Sequence, residues 1–196
     1  MDPAVELTIC RTMAEEMEAY LLSDHLFRQL IVRTPLGDLQ PKMTLGAFLE
    51  HYQRLRRREM ALSPAQRAKL SEIGETWATM KRRYEGRYAE RLHHELRSHL
   101  DSWKWFIDDC LRQPTRCCDD YPTEARARAR VALLIEEIGT GVDIKMDLSR
   151  LSALDERLRS MWEQGRFIWS DETPAAYPPD RYWFLYGHPS GGAECD

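Results

Sequence analysis

The apolar positions of the chain hold a helical period through its middle. From Ser71 to Gln113 there is no proline, and Ile73, Trp77, Met80, Tyr84, Tyr88, Leu92, Leu96, His99, Trp103, Ile107 and Cys110 follow one another at steps of three or four. That spacing marks one face of an α-helix. Sustained for about ten turns at about 1.5 Å per residue, it predicts a rod roughly 60 Å long. Gly74 and Gly86 are the positions where a break or bend is expected.

Shorter elements flank the rod. Pro3 suits the first turn of a helix over residues 3–22, whose stripe is Val5, Ile9, Met13, Met17 and Tyr20. Glu16 falls inside that stripe, where a carboxylate needs a partner. From His25 to Thr44 the helical period stops, and Pro35-Leu36-Gly37-Asp38 signals a turn. The expectation is a small hairpin, Phe27–Arg33 against Leu39–Met43. Thr44 then caps a helix from Leu45 to about Arg58, and Ser63-Pro64 opens the helix that leads into the rod. Beyond the rod, Gln113 to Pro122 reads as a connection. Thr123 caps a helix through Ile138, ended by Gly139 and Gly141, and Asp147 or Ser149 caps a last helix to about Gly165.

The tail changes character. From Phe167 onward it is rich in proline and aromatics, too apolar for a solvated linker. It is expected to lie across the end of the helices or to wrap a partner, with the residues after Gly187 disordered. The fold expected is mainly α: a helical bundle around one very long helix, with a β-hairpin after the first helix and an extended aromatic C-terminal tail. Residues 1–166 form the bundle and residues 167–196 the tail.

Composition narrows the class. With 43% hydrophobic and 31% charged residues, the chain describes a folded globular protein and not a disordered one. A net charge of −4 gives no support to general polyanion binding. No apolar run is long enough to span a membrane, and the charged N-terminus does not read as a signal peptide. Cys10, Cys110, Cys117, Cys118 and Cys195 form no C-x-x-C pair, so reduced thiols in a cytoplasm are expected.

Candidate chemistry concentrates on the rod at Glu90, His93, His94, Glu95 and His99. Stepping about 100° per residue from Leu92 points Glu90, His93 and His94 to solvent and leaves Glu95 and His99 near the core. Four apart on a helix, those two can meet. They make either a buried hydrogen bond, with Arg130 as a further partner, or half of a divalent-metal site completed by Glu16 and Glu137. Di-metal carboxylate bundles require two Glu-x-x-His pairs, and this chain offers only Glu90-x-x-His93. Likewise Glu15-x-x-Glu18 fits half of the magnesium pattern of helical nucleotide pyrophosphohydrolases. Thr140 stands where the second half needs an aspartate.

The arginine groups at 54–58, 82–91 and 126–130 suit solvated helix faces and helix ends better than a nucleic-acid face. No nucleophile elbow or phosphate-binding glycine loop is present. Trp105 points away from the core stripe, so it and Tyr182, Trp183 and Phe184 of the tail are the interface candidates. The expected function is therefore non-catalytic: a cytoplasmic protein–protein interaction or structural module acting as a homodimer, without catalytic residues or a resident cofactor. The alternatives are a metal-dependent helical enzyme using Glu16, Glu95, His99 and Glu137, and a nucleic-acid-associated protein.

Overall fold

The computed structural model describes residues 2–34, 37–139, 143–170 and 172–190, leaving aside the side chains of 114–116. The chain is mainly helical with small antiparallel strand pairs, and no helix among the described residues is long and apolar enough to cross a membrane. It divides into two compact units, residues 1–95 and 96–196.

In the first unit the Asp2 side chain accepts from the Ala4 N–H at 2.8 Å and starts α1 (Pro3–Glu15). Glu16 is a single irregular residue before α2 (Met17–Leu22), and backbone bonds from Glu16 N to Thr12 O and from Tyr20 N to Glu16 O bridge it. The expected stripe is inward: Met13, Met17 and Tyr20 are fully buried. The expected hairpin is present as β1 (Arg28–Gln29) with β4 (Lys42–Met43) and β2 (Val32–Thr34) with β3 (Gly37–Leu39). Both pairs keep one register; the ladder is interrupted beside Pro41, which has no N–H to donate, although its carbonyl accepts from Leu30. Pro35 and Leu36 of the predicted turn lie outside the described residues.

Thr44 caps α3 (Leu45–Arg57), and a complete Ser63–Gln66 capping box opens α4 (Pro64–Arg83), both as the sequence predicts. α1 packs on both. Phe48 and Tyr52 of α3 meet the Trp77 ring of α4 at 5.4 and 5.2 Å. A Cβ at Gly74 would stand 2.6 Å from the Tyr52 hydroxyl, so this glycine serves close helix contact and does not break α4.

The single rod is not observed as one regular helix. α4 ends at Arg83, Tyr84 leaves helical geometry at φ −120° and ψ 35°, and α5 (Glu85–Arg112) begins at the next residue. The Trp77 indole donates to the Tyr88 hydroxyl at 2.9 Å, although the two stand 11 residues apart. On a straight helix they would be separated by about 16 Å, so the chain bends at Tyr84. Neither Gly74 nor Gly86 marks the break, since both are helical.

The second unit holds the C-terminal part of α5, α6 (Pro114–Ile138), α7 (Lys145–Arg159), β5 (Trp162–Phe167) and β6 (Tyr186–Pro189). Three expectations are corrected here. The segment 113–122 is no connection: α6 starts at Pro114, a favoured first-turn position, and runs through Pro122. Pro122 costs α6 one backbone bond, while its carbonyl accepts the Trp169 indole N–H at 2.8 Å. The last helix stops at Arg159, because Trp162–Phe167 is strand β5, paired with β6 from Trp162↔Pro189 to Phe167↔Tyr186 across a bulge. Residues 188–190, expected to be disordered, belong to this pairing or bond next to it, with Ser190 N donating to Met161 O at 2.5 Å. Residues 191–196 lie outside the described residues.

Gly187 makes the pairing possible. Its φ is +151°, and a Cβ there would sit 2.1 Å from the Glu163 carbonyl oxygen. The pairing returns the tail onto its own unit, where β6 and the turn Trp183–Leu185 pack against α6. Trp103, Tyr121, Tyr182, Phe184 and Leu158 form the core of this unit.

Candidate functional site

Glu95 is the inward carboxylate that the rod's period predicts, and it is 4% exposed. Its Oε1 accepts from the Tyr20 hydroxyl at 2.5 Å and the Leu45 N–H at 2.6 Å; its Oε2 accepts from the Gly46 N–H at 2.8 Å. Leu45 and Gly46 are the first residues of α3, and Thr44 Oγ1 takes the next free N–H, that of Ala47, at 3.1 Å. Glu95 therefore completes the cap that Thr44 begins. Burial pushes its carboxyl above the usual range, and the donors from Gly46, Tyr20 and Leu45 pull the other way. The Tyr20 phenol is also pushed up, first by burial and then by the Glu95 charge.

The other sequence candidates for a metal lie in different settings. Glu16 is half-buried and pairs with Arg28 at 2.8 Å. His99 and Glu137 are both half-buried in the second unit. Among the described residues, no group of three or more His, Cys, Asp or Glu side chains is arranged to hold a metal ion. On the same helix Glu90 and His94 are exposed as predicted, whereas His93 is half-buried.

The arginine groups are occupied to a degree the sequence does not reveal. Arg54, expected on a solvated helix end, is 6% exposed. It donates to Glu6 at 2.6 Å and to Glu50 at 3.0 Å, while His51 stands 3.2 Å from the same Glu6 oxygen. Burial pushes the Glu6 carboxyl up, but the His51 bond and the Arg54 charge outweigh it and leave it below the usual range. Beside this cluster Cys10 is a buried free thiol, whose pKa burial and the Glu6 charge push far above the usual thiol range. Arg91 reaches the carbonyls of Ser23 and His25 and covers the Tyr20 ring. Arg128 is buried and holds Asp155 through two bonds of 2.9 and 2.7 Å.

Of the interface candidates, the structure exposes one. Tyr182 and Phe184 are 1% and 0% exposed within their own unit, which corrects their assignment as contact residues. Trp183 is half-buried, edge-on to Trp162 at 5.3 Å and under the Arg159 guanidinium at 4.3 Å. Trp105 is 67% exposed, as its angle on α5 predicts.

Trp105 also lines a groove of about 610 Å³ at the corner between α5 and α6. Phe106, Cys110 and Cys117 supply its apolar wall, and Asp109, Arg112, Asp120 and Glu124 its polar one. Cys110 and Cys117 form a disulfide that ties the last turns of α5 to the first turn of α6. Cys118 is disulfide-bonded too. The expectation of reduced thiols is thereby overturned: the helix start at Pro114 brings Cys110 and Cys117 to a Cα separation of 4.9 Å, within bonding range. Their spacing of seven across a helix break was the signal available in the sequence.

No protein family, curated protein or solved structure matches this chain.

Proposed function

We propose that this chain is a non-catalytic interaction or structural module that acts as a homodimer. The observation that supports this reading is an exposed apolar stretch in the first unit. Leu22, Leu26, Phe27, Ile31 and Leu39 are 38–67% exposed, all within residues 22–39. A run of large apolar side chains left in water is the signature of a contact surface. The strands they flank are only two or three residues long, so a second copy would also stabilise the hairpin.

Leu39 shares the face of its partner Val32, so burying the other four from about half exposure is worth about 4 kcal/mol per protomer. A twofold interface buries these four twice, giving about 8 kcal/mol against an association cost of about 4–15 kcal/mol. The dimer is thus expected to be weak, and light scattering at about 100 μM is the suitable test. A dimer mass that falls to the monomer mass in Phe27→Asp/Ile31→Asp supports the reading; a monomer mass for the unmodified chain refutes it. Elemental analysis of the same sample separates the module from a metal-dependent enzyme using Glu16, Glu95, His99 and Glu137. Bound metal near one equivalent would favour the enzyme. For location, the Cys110–Cys117 disulfide supports an oxidising compartment over the cytoplasm.

A further inference from the structure

We propose that the groove at the α5–α6 corner receives an arginine side chain of a different protein. The inference rests on the reading of the chain as an interaction module, but it uses a surface in the second unit, apart in sequence from residues 22–39. Three features of the groove carry it.

The groove is preformed. Its walls come from two helices joined by the Cys110–Cys117 disulfide, and its apolar side is backed by Phe106, whose ring contacts the buried rings of Trp103 and Tyr121 at 5.5 and 5.9 Å. A site held by a crosslink and a packed aromatic cluster needs little reordering on binding.

Among the described residues its lining carries more acidic than basic charge. Asp109 is neutralised by Arg112 at 2.6 Å. Asp120 and Glu124, four residues apart on α6, have no ion pair among the described residues. Like charges at that spacing destabilise a helix, and a bound cation would remove the penalty. Burial and the neighbouring Asp120 charge both hold the Glu124 carboxyl above its usual range.

An indole stands at the same groove in water, with Trp105 67% exposed. Aromatic faces attract cations, and indole does so best. Together the features select among cations. A guanidinium is planar, stacks on an indole and offers a fork of N–H donors to carboxylates, whereas an ammonium is a strongly hydrated point charge.

The test uses the full chain and the probe acetyl-Gly-Arg-Arg-Gly-amide, titrated by calorimetry at low salt. Binding is expected to weaken about tenfold in Glu124→Gln and several-fold in Trp105→Ala, with affinity also reduced for the lysine peptide and abolished for the citrulline peptide. Both positions are at least partly exposed, and matching thermal unfolding of the variants would establish that they fold. Absence of binding, binding unchanged in both variants, or equal affinity for the citrulline peptide would overturn the proposal. So would a dimer mass that falls to the monomer mass in Trp105→Ala, since a second copy would then occupy the groove. A monomer mass for the unmodified chain refutes only the dimer reading and leaves the peptide result to stand or fall alone.

Discussion

Replacing Glu95 by alanine tests the assignment of that carboxylate to helix capping. The change removes the acceptor for three donors: the Tyr20 hydroxyl and the N–H groups of Leu45 and Gly46. They do not suffer equally. Tyr20 has a second acceptor in the Leu26 carbonyl at 3.2 Å, so its hydroxyl stays paired. The two backbone N–H groups have no such reserve, and at 4% exposure of Glu95 water does not reach them freely. Two orphaned buried donors cost about 2–6 kcal/mol together, and the variant regains part of this by no longer burying a charge, leaving a net loss of about 3 kcal/mol. Against a typical total of about 5–15 kcal/mol that is a large fraction.

Guanidinium unfolding followed by circular dichroism measures the loss. Amide exchange at Leu45 and Gly46 localises it, which matters in a chain of two compact units whose transitions need not coincide. Glu95→Gln should fall between, since it keeps one acceptor oxygen but turns an NH₂ group toward an N–H donor. A loss in Glu95→Ala under about 1 kcal/mol, with unchanged exchange at both amides, would refute the capping role.

Three further outcomes follow from the second unit. Gly187→Ala should open the β5–β6 pairing, because its Cβ would sit 2.1 Å from the Glu163 carbonyl, and limited proteolysis should then cut the tail faster than in the unmodified chain. Removing the Cys110–Cys117 crosslink as the double alanine variant should lower stability by about 2.5 kcal/mol from loop closure alone, measured by thermal unfolding. Asp108 is held down to about 2 by its bonds to Lys104 and Arg157, against an ordinary 3.8. A depressed carboxyl stabilises the fold above its unfolded value and loses that effect as pH falls. Acid titration should therefore show a loss between pH 3.8 and 2 that Asp108→Asn lacks.

Local signals were legible at some helix starts and not at others: Thr123 lies inside α6, and α7 begins at Lys145, ahead of Asp147 and Ser149. Thr44 and Ser63 cap helices because their side chains reach N–H groups three residues away. The 27–43 hairpin follows from loss of the helical period and a Gly-containing turn. The inward position of Glu95 and the outward position of Trp105 follow from angle alone.

Tertiary structure decided the rest. Tyr84 bends the rod although no glycine or proline marks it, where Trp77 and Tyr88 bond across the turn. Pro114 and Pro122 look like breakers, yet α6 keeps both, one as a first-turn residue and one with its carbonyl taken by Trp169. The Arg54 charge belongs to Glu6, 48 residues away, and the partners of Glu95 are 75, 50 and 49 residues away. A periodicity reports which face of a helix is apolar; it carries no information about which distant group will meet a polar atom once that face is buried. That is settled only when the elements pack, and there the Glu95 cap, the Arg54 cluster and the disulfide-bound groove arise.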